Sequence, residues 1–185
     1  MAVQVLFVQG AGANAHEDFD RKLVTRLERA LGGDYLVRYP RMPEEGDPRY
    51  ATWKAALLGE LDSLTDGAIL VGHSVGGTIL LHVLAEDPRG FKPGALMLIA
   101  APFIGSGGWP SDEIQPGMDF AEHLPAALPV FLYHGTDDET VPTSHVHLYS
   151  RAIPQASVRI LTHRDHQLNN DLGEIVRDIR SLAAP

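Results

Sequence analysis

Apolar residues along this chain fall into two alternating kinds of run. Short aliphatic and β-branched stretches recur at Val3–Val8, Tyr35–Val37, Ala68–Val71, Ala95–Ala100, Val130–Tyr133 and Val158–Leu161. Each has the length and near-continuous apolar character of a strand covered on both faces. Between them, apolar positions return every three or four residues, as in helices that pack one face on a sheet. Phe19, Leu23, Leu27, Ala30 and Leu31 form one such stripe, Trp53, Leu57, Leu61 and Leu64 a second, and Leu172, Ile175, Val176, Ile179 and Leu182 a third. Asp171 and Glu174, three residues apart, are placed to cap the start of the last helix reciprocally. The alternation predicts a single three-layer α/β/α domain over residues 1–185, with a mainly parallel sheet of about six strands.

Two segments depart from this rhythm. Thr78–Leu84 is apolar nearly all round, which predicts a helix buried in the middle of the domain. Residues 103–125 (FIGSGGWPSDEIQPGMDFAEHLP) are rich in Gly and Pro and form the one long irregular stretch. A loop of that length is usually functional or disordered, and this one is expected to be a flap over a site.

The apolar run Ala68–Leu81 is interrupted at Gly72-His73-Ser74-Val75-Gly76, a G-x-S-x-G pattern between a predicted strand and a predicted helix. A turn that tight has no room for side chains at the two glycines and holds the serine strained, with its oxygen outward. A serine hydroxyl becomes a nucleophile only when a base takes its proton, and that base needs a third group to fix its tautomer. Asp137 and Asp138 follow the fifth strand, and His163 and His166 follow the sixth. These positions lie at carboxyl ends of strands, where open α/β sheets gather functional groups. The backbone N–H of Val75, next after the serine at a helix start, is a candidate donor to an oxyanion.

In these features the chain resembles the α/β-hydrolase superfamily, in a small form without a cap domain similar to minimal bacterial serine hydrolases. The resemblance spans nearly the whole chain. It implies the order Ser, Asp, His for a catalytic triad, and the family's H-G-x-x-D-x-x-V-P segment, here His134 to Pro142, selects Asp138 as the acid. A Gly-His step common in the last loop corresponds to Asp165-His166, which selects His166 as the base. The resemblance also assigns a second oxyanion donor to the loop after the first strand, at the N–H of Ala11. That loop carries Gln9-Gly10 where many relatives have His-Gly. The activity implied is that of a carboxylesterase-like serine hydrolase, acting on a small acyl substrate through an acyl-enzyme without cofactor or metal. Phe103, Ile104, Trp109 and Met118 are candidate substrate-lining residues.

Composition narrows the partners. Fifteen Lys and Arg against 24 Asp and Glu give a formal charge of -9, which disfavours nucleic acid and anionic membranes. No basic cluster stands out in the sequence. Cysteine is absent, which excludes disulfides and thiolate chemistry and fits a reducing compartment. The apolar start lacks a basic region and leads straight into a turn, so a first strand and a cytoplasmic location are expected. Oligomeric state is left open.

Three other readings compete. Gly10-Ala11-Gly12-Ala13-Asn14-Ala15 fits G-x-G-x-x-A after a strand, and Arg38 ends the second strand, as a Rossmann protein binding NADP would require. A non-catalytic binding protein on the same fold is the second. The third is a metal site at His145 and His147 or at His163 and His166; residues two apart on a helix do not share a face, so the first pair reads as solvated.

Overall fold

The computed structural model describes residues 2–87, 90 and 92–182. Six strands, β1 (Val3–Val8), β2 (Tyr35–Arg38), β3 (Ile69–His73), β4 (Ala95–Ile99), β5 (Val130–Gly135) and β6 (Ala156–Leu161), form one sheet in the order β2-β1-β3-β4-β5-β6. Every neighbouring pair is parallel. Among the described residues, six α-helices accompany it: α1 (Asp20–Leu31), α2 (Tyr50–Leu61), α3 (Ser74–Glu86), α4 (Phe120–His123), α5 (Ser144–Ala152) and α6 (Gly173–Leu182).

Strand alternation divides the core into two layers. Leu6, Val8, Leu70, Leu96, Leu98 and Leu132 face α2, α3 and α5, where they meet Trp53, Leu57, Leu80 and Tyr149. Val5, Phe7, Val71, Met97 and Ile99 face α1 and α6, against Leu23, Leu27, Ile175 and Ile179. Each large side chain fully withdrawn from water contributes roughly 1.5–3 kcal/mol. α3 is buried from Gly76 to Ala85, so its all-round apolar surface has neighbours on every side.

The first stripe is phased differently from its sequence pattern. A single wide turn, Ala15–Phe19, precedes α1 and rotates Phe19 outward, leaving it 52% exposed, and Ala30 is exposed as well. The buried face is Asp20, Leu23, Val24, Leu27 and Leu31. A carboxylate thus holds the first place in an apolar stripe. At α6, Asp171 accepts from the N–H of Gly173 at 3.0 Å. The return half of the predicted capping pair is not formed, because the N–H of Asp171 donates to Leu168 and Glu174 pairs with Arg177.

The 103–125 segment is less irregular than expected. It contains a bridge between Ile104 and Trp109, and it contains α4, where the Asp119 carboxylate accepts from Ala121 and Glu122. The fold also assembles Arg21, Lys22, Arg26 and Arg29 along an open groove between α1 and α6. That basic strip is hidden in the sequence because helical spacing interleaves it with buried leucines. No helix among the described residues is long and apolar enough to cross a membrane.

Candidate active site

Strand order places the candidate groups. The sheet grows outward from β1 in both directions, so connections diverge above the carboxyl ends of β1 and β3 and leave a crevice there. Val8 pairs with Gly72, which sets Gln9-Gly10 alongside His73-Ser74. Ser74 has φ 52°, a left-handed conformation rare for a side chain of its kind. The two glycines make that turn possible: a β-carbon on Gly76 would collide with the Gln9 carbonyl, and one on Gly72 with the Cα of Gly77.

Ser74 Oγ lies 2.9 Å from Nε2 of His166, and Nδ1 of His166 lies 2.8 Å from Oδ2 of Asp138. The other carboxylate oxygen accepts from the N–H groups of Thr140 and Val141, each at 2.8 Å. His134, the first residue of the H-G-x-x-D segment, brings Nε2 to 3.3 Å from Asp138 Oδ2. Burial works to raise the Asp138 pKa. Hydrogen bonds from His134, His166 and the Val141 backbone outweigh it and hold the carboxyl well below the usual range. An ionised Asp138 only accepts, so Nδ1 of His166 carries its proton and Nε2 is free to accept from the Ser74 hydroxyl. The alternative pair stands apart: His163 and Asp137 lie 3.4 Å from each other on the surface, 92% and 56% exposed.

The loop after β1 is tied down by side chains the motif did not foretell. Gln9, fully buried, donates from Nε2 to Glu45 and accepts from the Met42 N–H at 2.9 Å. The Gly10 N–H donates to Asp20 Oδ2 at 2.6 Å and the Gly12 N–H to the Glu45 carbonyl at 2.7 Å. Neither amide is available to a ligand, whereas Ala11 lies between them. Val75 stands in the first turn of α3, whose N–H groups have no partner within the helix.

A model of the alpha/beta hydrolase family matches residues 5–183. The chain belongs to that family. Solved structures of similar fold include the ydeN gene product from B. subtilis, at 20% identity, with all of both chains covered and a TM-score of 0.79. Another is a serine hydrolase involved in carbazole degradation, the CarC enzyme, at 15% identity, covering 98% of this chain and 91% of that one, TM-score 0.73. Est1E from Butyrivibrio proteoclasticus, with ferulic acid bound, is 13% identical over 98% of this chain and 88% of its own, TM-score 0.69. No curated protein matches the sequence significantly.

In this alpha/beta hydrolase a groove of about 280 Å³ runs beside the tight turn at Ser74, the elbow between β3 and α3, and is lined by Val75, Ile79, Ile104, Trp109 and Ile114, with Arg49 and Glu113 at its rim. Of the four lining candidates, Ile104 and Trp109 are there. Phe103 and Met118 are not among its lining residues; like Ile104 they pack against the core, Phe103 edge-on to Tyr149 with centroids 5.0 Å apart. His145 corrects another expectation. It is buried rather than solvated, and its Nδ1 accepts from the Phe103 N–H at 2.8 Å, which anchors the start of the long loop. Tyr149 and Thr78 hold the adjacent Pro102 carbonyl at 2.8 and 2.6 Å. Farther on, Glu113 accepts from the Tyr50 N–H at 2.6 Å and from Arg49 at 3.1 Å, tying the loop to the start of α2 across the groove.

Sequence reasoning missed Asp20. The usable signal was an acid at the first turn of an amphipathic helix, in phase with Leu23, Val24 and Leu27.

Proposed function

We propose that the protein is a serine hydrolase that cleaves a small ester-like substrate through an acyl-enzyme. The observation that carries the reading is the unbroken contact series from Ser74 through His166 to Asp138, built on a strained serine. His166 takes the Ser74 proton as the oxygen attacks the acyl carbonyl, and Asp138 stabilises the imidazolium that results. The N–H groups of Val75 and Ala11 receive the oxyanion, an interaction worth roughly 3 kcal/mol per donor in such sites. His166 then protonates the leaving group, and water repeats the sequence on the acyl-enzyme.

The groove sits at the small end of ligand sites, roughly 300–1,000 Å³, and favours short acyl groups. Residues 103–125 act as its flap. The proteins of similar structure, an esterase domain and a serine hydrolase among them, agree with acyl transfer. A dinucleotide fits less well. The Gly10 and Gly12 amides that would cradle its pyrophosphate are engaged, and Arg38 is paired with Glu60 at 2.6 Å.

A fluorophosphonate probe tests the reading. Labelling at one site, abolished in Ser74→Ala, is expected; no labelling, or equal labelling of the variant, overturns it and leaves a binding protein. p-Nitrophenyl esters of graded chain length then measure the acyl preference.

A further inference from the structure

Beside the proposed relay lies a second acid–histidine pair that acyl transfer itself does not use. Asp20 and His73 are 1% and 2% exposed. Nδ1 of His73 lies 2.9 Å from Oδ1 and 3.0 Å from Oδ2 of Asp20, and its Nε2 lies 3.0 Å from the carbonyl oxygen of His166. Asp20 Oδ2 also accepts from the Gly10 N–H. The rings of His73 and His166 stand 4.8 Å apart, centroid to centroid.

The protonation state follows from these partners. A carbonyl oxygen only accepts, so Nε2 of His73 carries a proton. Burial works to raise the Asp20 pKa, but His73 and the Gly10 N–H outweigh it and lower it; the ionised carboxylate only accepts, so Nδ1 carries a proton as well. We propose that Asp20 and His73 form a permanently ionised positioning pair that locks three segments in one register: the loop after β1, the Ser74 elbow and the His166 loop. The inference rests on the reading of Ser74 and His166 as nucleophile and base.

The pair is neutral as a unit, so it ties these segments together without placing an uncompensated charge beside His166. The titratable groups that face His73 are Asp20 from α1, Asp138 from the loop after β5 and His166 from the loop after β6. Burial works against a charged His73, and Asp20 outweighs it and raises the pKa. Without the carboxylate, His73 is left with one ring proton. That proton stays on Nε2 against the His166 carbonyl, while the Gly10 N–H and the Nδ1 side of His73 lose their common partner, and the loop after β1 is no longer tied to the other two segments.

Imidazole ¹⁵N NMR of the intact protein, with His73 assigned by comparison with His73→Gln, reads the pair directly. Both His73 nitrogens are expected to be protonated between about pH 5.5 and 8.5. A neutral single tautomer at neutral pH overturns the proposal. In Asp20→Ala, which removes the acceptor shared by Gly10 and His73, kcat is expected to fall roughly 10- to 100-fold, the scale of a base misplaced by about an ångström, with KM changed less than about threefold. The low-field Nδ1 proton of His166 is expected to shift. A folded Asp20→Ala whose kcat stays within about twofold of the parent's overturns the positioning role. Should that variant not fold, the NMR of the parent protein decides. Failure of the probe to label the parent at Ser74 sinks the hydrolase reading, while the His73 spectrum still reports on the ion pair.

Discussion

Asp138 accepts from Nδ1 of His166 at 2.8 Å, while its neighbour Asp137 faces solvent beside His163. Adjacent acids therefore have opposite fates. Asp138→Asn is expected to lower kcat about 10⁴-fold by leaving His166 in the wrong tautomer. Asp137→Asn is expected to stay near the parent rate. Steady-state kinetics with a short-chain ester, together with thermal melts of both variants, check this.

Gly76 packs its Cα against the Gln9 carbonyl. Gly76→Ala forces backbone apart at the elbow and is expected to destabilise by about 1–3 kcal/mol, as overpacking does, and to reduce Ser74 labelling. Gly59, exposed on α2 with nothing beyond its chain neighbours and its own helix backbone within 4 Å of where an added methyl group would stand, is the control. Gly59→Ala is expected to stabilise by about 0.5–1 kcal/mol through helix propensity. Urea melts of the two read opposite signs.

Glu113 ties the 103–125 segment to α2 at a partly exposed site, so little stability depends on it. Glu113→Gln is expected to raise KM a few-fold with kcat nearly unchanged, the signature of binding lost equally in ground and transition states. Trp109→Ala is expected to shift the acyl preference toward longer chains. A chain-length series on both variants tests the placement of the groove.

His82, on the buried helix, packs edge-on to Phe120 with centroids 5.1 Å apart, and its Nδ1 has no hydrogen-bond partner. Burial lowers its pKa to about 4, against 6.5 for the free side chain. Between those values the unfolded chain binds a proton that the native protein refuses, so stability falls as pH drops from 6.5 toward 4. At pH 5 the loss from this one group is about 2 kcal/mol. His82→Leu is expected to remove it, so melts at pH 8 and pH 5 should converge relative to the parent. Asp20 and Asp138, both lowered, act in a different window: their stabilisation is present above the ordinary carboxylate pKa and lost as pH falls below it.

The strands and Ser74 were legible in the sequence because their causes are local. Apolar runs of strand length, β-branched content and a glycine-flanked serine follow from neighbouring residues, and all six strands lie where those runs predict. The belonging of Asp138 and His166 to one series was reached only through a family resemblance, since periodicity and spacing left both pairs open. Tertiary structure separates the pairs by burial. The contact of Ser74 with His166 spans 92 residues of chain, and that of His73 with Asp20 spans 53. No local pattern encodes either. The wide turn before α1 decides that Asp20 and not Phe19 faces inward, and close packing decides that His145 is an anchor and not a solvated side chain. Local sterics and hydrophobic periodicity thus determined the elements and the strained serine, whereas the order of strands in the sheet decided which charged groups meet it.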